Sequence, residues 1–228
     1  MHPLDNVIWQ ALTTRQTQFA EGTGLARLFA REVTLLGALS ELTPQGYADF
    51  ARVVGVGGTG ALFLDTPYEP RQGWEFVAGA PLLQMVFENR KGSSGRGSSA
   101  VEIAELGFQD SPEMIELTSL TKPGPFGPRT HELGTYLGIR SEGVLVAMAG
   151  ERLKVPGHTE VSAVCTHPDH TGKGYARILM TEIMGRILDR GETPFLHSRG
   201  DNARAIDLYK RLGFRERKSG HFAVLRKV

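Results

Sequence analysis

The sequence holds one cysteine, Cys165, in 228 residues. No intrachain disulfide can form, so stability must come from a packed core. Net charge is equally scant, since 26 Lys and Arg against 25 Asp and Glu leave +1. Nothing global steers the chain toward nucleic acid or an anionic membrane. No stretch approaches the roughly 18 consecutive apolar residues of a membrane span. The opening residues, MHPLDNVIWQ, lack the basic start and apolar run of a signal peptide. These absences lead to the expectation of a cytoplasmic globular protein, one large domain or two small ones.

What is present is uneven along the chain. Residues 91–100, KGSSGRGSSA, have the composition of a flexible linker and divide the chain into residues 1–90 and 101–228. The first part reads as an N-terminal α/β region. Residues 25–39, LARLFAREVTLLGAL, fit strand–turn–strand or a short helix. Residues 44–54 fit a helix with Pro44 in its first turn, and 61–65 a buried strand. Further strands are expected near 74–79 and 82–88. Residues 55–60, GVGGTG, match G-x-G-x-x-G literally, but that fingerprint needs a strand before it and a helix after it. Here the order is reversed, so a turn is the better account.

The second part is clearer. VEIAELG (101–107) fits a strand, and SPEMIELTSL (111–120) a helix with Ser111 as N-cap and Pro112 at its first position. The Pro/Gly-rich stretch 121–133 is a structured loop, and 134–155 a hairpin turning at 141–143. VSAVCT (161–166) fits a central strand. A helix over 174–190 buries Ala176, Leu179, Met180, Ile183 and Ile187, spaced by three and four. PFLHSR (194–199) is a strand, Asn202 to Leu212 a helix closed by Gly213, and two strands, 214–218 and 221–227, end the chain around Ser219-Gly220.

Between the central strand and the helix, residues 171–174 read TGKG. A strand, a glycine turn and a helix present free N–H groups at the positive end of a helix dipole, where phosphate oxygens are favoured. The P-loop spacing is not met at 167–174, and the third glycine of a dinucleotide fingerprint is replaced by Arg177. The remaining pattern, x-x-x-G-x-[GA] at 171–176, resembles the acyl-CoA pyrophosphate loop of the GNAT superfamily. Residues 202–214, NARAIDLYKRLGF, resemble its second signature, N-x-x-A-x-x-L-Y-x-x-x-G-F, at every specified position. The resemblance covers 101–228 and looks closest to the FR-type, N-acyltransferase-like branch.

That resemblance implies a mixed α/β fold, a mostly antiparallel sheet whose central parallel pair splays apart. Residues 1–90 then suggest a degenerate GNAT-like half, or an unrelated cap. It implies acetyl-CoA as co-substrate, with Val164, Cys165 and Thr166 along the pantetheine arm. Thr171, Gly172, Lys173, Gly174, Tyr175, Ala176 and Arg177 would cradle the pyrophosphate. Family members usually carry Gln or Arg where this chain has Thr171; Lys173 or Arg177 is expected to compensate. Asn202 would contact the cofactor near its thioester. Tyr209 matches the family's general acid, and Glu160 stands where some members carry a catalytic glutamate. His197, His131 or a water are other candidate bases. Phe126, Arg129 and His131 lie in the loop expected to shape the acceptor pocket.

Plainer readings accompany each. Tyr209 fits a core tyrosine, Glu160 a solvated strand end, Cys165 a buried strand residue, and Arg129 a partner of a surface acid. His167 and His170 lack further ligands at motif spacing, so no metal is expected. The expected function is acetyl transfer to a small-molecule or peptide amine by direct attack in a ternary complex. No nucleic-acid or membrane partner is expected, and the first part leaves room for a homodimer. A non-catalytic acyl-CoA-binding module and a nucleotide-dependent enzyme are the alternatives.

Overall fold

The computed structural model describes residues 2–88 and 101–228; the expected linker at 91–100 lies outside the described residues. The chain opens on α1 (Val7–Gln10), which runs on as a π-turn over Ala11–Arg15. Strands β1 (Ala20–Glu21), β2 (Ala26–Phe29) and β3 (Gly37–Leu39) form a small antiparallel sheet, so residues 25–39 take the strand–turn–strand alternative. Helix α2 (Pro44–Val54) follows, with the Thr43 side chain accepting from the Gly46 N–H at 3.1 Å and Pro44 at a first-turn position that needs no N–H. Strands β4 (Thr59–Leu64) and β5 (Trp74–Phe87) close this part. The GVGGTG stretch (55–60) therefore follows a helix and runs into a strand.

The remaining elements are β6 (Ala104–Leu106), α3 (Ser111–Thr121), β7 (Tyr136–Ser141), β8 (Val144–Val155), β9 (His158–Thr166), α4 (Tyr175–Asp189), β10 (Thr193–Arg199), α5 (Ala203–Arg211) and β11 (Phe214–Lys227). The main sheet has eight strands in the order β4-β11-β5-β10-β9-β8-β7-β6. Among the described residues of this sheet only β9 and β10 run parallel; the other neighbours are antiparallel. The fold is thus mixed α/β. Strand β5, from the first part of the chain, lies between β10 and β11 of the second.

Several local expectations are corrected. Residues 74–79 and 82–88 form one strand through Pro81, which falls just beyond the last β10 pair, Arg199↔Leu82. The missing N–H of Pro81 therefore leaves no β10 partner unsatisfied. Residues 214–218 and 221–227 are also one strand. Ser219 and Gly220 pair with Leu83 and Leu82, because β5 continues alongside and holds the chain extended. The strand expected at 101–107 shortens to 104–106. Ser111 is inside its helix rather than capping it, and its hydroxyl donates to the Pro128 carbonyl at 2.8 Å.

The sheet is covered on both faces. On β10, Leu196 joins the cluster of Leu179, Met180, Ile183 and Ile187 from α4, while adjacent Phe195 joins that of Leu4, Ile8 and Leu12. Side chains alternate along a strand, so α4 and the N-terminal segment lie on opposite faces. Helix α3 packs Met114 and Leu117 against Tyr136, Met148 and Cys165.

Tyr136 is fully buried, and its ring lies over Gly150 of the neighbouring strand. A Cβ at Gly150 would come within 2.2 Å of Tyr136 Cδ1. Gly150→Ala is therefore expected to destabilise the fold by about 1–3 kcal/mol through overpacking. A lowered urea midpoint would show it; an unchanged midpoint would mean that the ring relocates freely.

Candidate active site

The parallel pair β9/β10 is short. It runs from Thr193↔His158 to Phe195↔Glu160 and stops, while β9 continues along β8 to Thr166 and β10 along β5 to Arg199. The two strands therefore part beyond Glu160 and leave a V-shaped opening. A bulge accentuates it. Between the pairs Met148↔Cys165 and Gly150↔Ser162, β9 carries one residue more than β8, and Ala163 sits at φ +52°. The His167 N–H donates to Val146 on β8 at 2.7 Å. By the two-residue alternation of a strand, Cys165 shares that side, and the backbone groups of Val164 and Thr166 face the opening.

The glycine turn stands at the mouth of this opening. Gly172 and Gly174 have φ of +81° and +79°, and an added Cβ at either would meet nothing within 4 Å. Backbone conformation, not space, is what these glycines supply. Among the described residues no backbone N–H from Gly172 to Arg177 donates to a protein acceptor; donation resumes at Ile178, which bonds the Gly174 carbonyl at 3.1 Å. The first turn of α4 contains no acidic side chain. Such a helix start leaves its backbone donors free, at the positive end of the helix dipole. Lys173 and Arg177 are exposed beside it, with Lys173 Nζ 3.3 Å from His170 Nδ1. The Thr171 hydroxyl turns back to donate to the Pro168 carbonyl at 3.1 Å, so it closes the loop. Tyr175 and Ala176 begin α4 half-buried.

Asn202 caps α5, its side-chain oxygen accepting from the Ala205 N–H at 3.2 Å. About two helix turns on, Tyr209 is buried with its ring 6.3 Å from that of Phe214. Its hydroxyl makes no hydrogen bond to another described residue. Burial, with a contribution from nearby Cys165, pushes its phenol up to about 12. Burial likewise raises the Cys165 thiol to about 11, an inert state for a nucleophile.

Glu160 is fully buried, which overturns the plain reading of a solvated strand end. It stands at the apex of the opening. Arg152 Nε and Nη2 each donate to it at 2.8 Å, the Leu153 N–H at 3.3 Å, and His197 Nδ1 at 2.7 Å. Burial alone would push its carboxyl up; the Arg152 charge and hydrogen bonds, with the His197 bond, outweigh it and hold it at about 2. A proton acceptor at neutral pH needs the opposite arrangement.

The acceptor-loop candidates do not converge. Phe126 packs edge-on against Tyr136 at 5.7 Å and lines a small cleft with Arg152, Ser162 and Ala163. The buried Tyr136 hydroxyl, which has no hydrogen-bond partner among the described residues, borders the same cleft. Arg129 is exposed and clasps Glu132 through Nε and Nη2 at 2.7 and 2.8 Å. His131 packs 6.2 Å from the Phe108 ring. Among the described residues no cluster of three metal-ligating side chains is found.

Arg152, which pairs with Glu160, and Gln84, whose Nε2 lies 3.0 Å from His197 Nε2, were not among the expected site residues. A signal for Arg152 existed: Glu151 and Arg152 interrupt the apolar run VLVAMAG…L, and the hairpin turn at 156–157 brings them opposite 160–161. Nothing local pointed to Gln84, which comes from the other part of the chain.

Comparison with known proteins bears on all of this. The FR47-like protein family matches residues 136–223. The N-alpha-acetyltransferase RimI of Mycobacterium tuberculosis is 38% identical over 82 residues, covering 35% of this chain and 51% of that protein. The chain thus spans about half the length of this curated relative. A crystal structure of a GNAT-family protein from Novosphingobium aromaticivorans is 35% identical over 100% of both chains, with a TM-score of 0.87. A GCN5-related N-acetyltransferase from Kribbella flavida shares the fold at 18% identity, with a TM-score of 0.60 over 95% of this chain and 92% of that one.

Proposed function

The chain belongs to the GNAT family, and from that premise we propose that it transfers acetyl from acetyl-CoA to an amine by direct attack in a ternary complex. The observation that carries this reading is the pairing of the V-shaped opening with the unsatisfied helix start beside it. Val164 and Thr166 would pair with the pantetheine arm as an added strand does, with Cys165 between them. The N–H groups from Gly172 through Arg177 would hold the pyrophosphate. Lys173 and Arg177 supply charge that Thr171 does not.

In the proposed chemistry the amine lone pair forms the C–N bond at the thioester carbonyl, and the C–S bond breaks with its electron pair going to sulfur. The Tyr209 hydroxyl protonates sulfur, and its proton is replaced from the nitrogen of the collapsing adduct. Glu160, ion-paired and strongly acidic, serves as a positioning group. Asn202 fixes the start of the helix that carries Tyr209. Residues 1–90 act as sheet and pocket rather than as a second acyl-CoA site. The cytoplasm and an intact co-substrate pool are the setting this chemistry fits.

The test is acetyl-CoA turnover, read as thiol release, against a panel of primary amines. No CoA binding and no turnover would sink the reading. Within it, the double charge reversal Lys173→Glu with Arg177→Glu is expected to raise the acetyl-CoA KM at least about tenfold, since like charge would oppose the pyrophosphate at an exposed, salt-sensitive site. The amine KM should stay put. An unchanged acetyl-CoA KM would leave binding to the backbone alone.

A further inference from the structure

On the face of the sheet opposite α4, a cavity of about 240 Å³ opens beside the apex of the split strands. The N-terminal part of the chain builds most of its wall. Leu4, Ile8, Leu39 and Phe63 supply apolar surface, and Leu82 and Gln84 of β5 complete it together with His197. The two carboxylates at its edge are already engaged, Asp5 with Arg217 at 2.5 Å and Asp65 with Lys218 at 2.6 Å. The cavity therefore offers no spare counter-ion for a highly charged body. It has the character of a small-molecule pocket, apolar with a few convergent polar groups.

Those polar groups have a fixed order. Glu160 can only accept, so the 2.7 Å contact with His197 Nδ1 places a proton on Nδ1. On the other side of the ring, Gln84 Nε2 lies 3.0 Å from His197 Nε2. The Gln84 amide is oriented by two independent contacts: its Nε2 donates to the Leu4 carbonyl at 3.0 Å, and its Oε1 accepts from Arg217 Nη1 at 2.7 Å. Gln84 therefore presents a donor, and His197 Nε2 is the acceptor. The ring is also held by Phe63, 4.7 Å between centroids. The result is an imidazole with one nitrogen anchored to a buried carboxylate and the other presented as a base to a cavity wall. It sits two residues beyond Phe195, the last residue of β10 that pairs with β9.

We propose that this cavity is the acceptor pocket, that it takes a primary amine on a small apolar body, and that His197 Nε2 receives the amine's proton while Glu160 holds the ring. The inference rests on the acetyltransferase reading. In the step itself, an ammonium N–H replaces the Gln84 N–H at Nε2, its proton passes to Nε2, and the freed lone pair attacks the thioester carbonyl. The second amine proton leaves later through Tyr209, and the proton on His197 returns to solvent through the open cavity. Glu160 touches no substrate and is a positioning residue.

The experiment uses the full chain with acetyl-CoA and three probe amines: 2-phenylethylamine, leucinamide and spermidine. The first two are expected to turn over and spermidine to be poor. His197→Gln, which can still donate to Glu160, is expected to lose ~10²–10⁴-fold in kcat, with the CoA-induced rise in melting temperature unchanged. Added imidazole should restore part of the activity of His197→Gly, an effect that a purely structural histidine would not show. Leu82→Trp, which fills the cavity from its β5 wall, is expected to raise the amine KM at least about tenfold and to leave the acetyl-CoA KM alone. If the wild type turns over amines but His197→Gln stays within tenfold and Leu82→Trp leaves the amine KM unmoved, this proposal falls and the acetyltransferase reading stands. If the wild type binds CoA but transfers to none of the probes, this acceptor assignment falls; failure across the wider amine panel takes the acetyltransferase reading with it.

Discussion

Tyr209→Phe is expected to lower kcat by ~10²–10⁴-fold while acetyl-CoA and amine KM values change little. The substitution removes one oxygen from a buried ring and keeps the packing against Phe214. Its hydroxyl has no protein partner among the described residues, so no structural hydrogen bond is lost. With the phenol pushed up to about 12, Tyr209 stays protonated throughout the neutral range, as an acid that meets a departing thiolate must. The effect should fall on kcat and kcat/KM alike, the pattern of an interaction made only in the transition state. A loss below tenfold would return Tyr209 to the role of a core residue and move the proton on sulfur to water.

Arg152→Met is expected to have the largest effect on stability. Arg152 and Glu160 are both nearly sealed from solvent, at 6% and 0% exposure. Removing one partner leaves a buried carboxylate with a single charge-capable neighbour, His197. Breaking such a pair costs about 3–5 kcal/mol. For a chain of this length that is a fall in melting temperature of roughly 6–20 °C. The double variant Arg152→Met with Glu160→Leu should recover much of the loss, because an apolar pair has no charge to strand.

The same pair gives a pH signature. The Glu160 carboxyl is lower in the folded state, at about 2, than its ordinary 4.5. Its contribution is therefore complete above about pH 4.5 and is lost as pH falls from there toward 2. By linkage it amounts to about 3 kcal/mol. Glu160→Gln should flatten the fall in stability over that window; a parallel curve would place the acid sensitivity elsewhere.

The readable parts of the chain were those whose signals are local. The glycine turn at 172–174, the helix opening at Asn202, the Gly213 stop and the three-four spacing on α4 each depend on residues within a turn or two. The V-shaped opening was expected from the family resemblance that these signatures carry, not from any local signal of its own. The first part resisted because its strands have meaning only through distant partners. Pro81 looks like a break until β10 is seen to end beside it. Ser219-Gly220 has the composition of a hairpin turn, yet β5 alongside keeps it extended. Glu160 follows a polar loop and looked solvated. Its burial depends on Arg152 from β8 and His197 from β10, neither of them adjacent in sequence.

The position of β5 has a consequence for how this chain comes into being. The strand that separates β10 from β11 is synthesised more than a hundred residues before either of them. Until β10 leaves the ribosome, β5 has neither of its final neighbours in the sheet, and until β11 follows it has only one. A fragment beginning at residue 101 would carry every acyl-CoA signature and still leave one long edge of β10 and both edges of β11 raw, ready to pair with another chain. The two ends of this polypeptide complete one sheet or leave two unfinished ones.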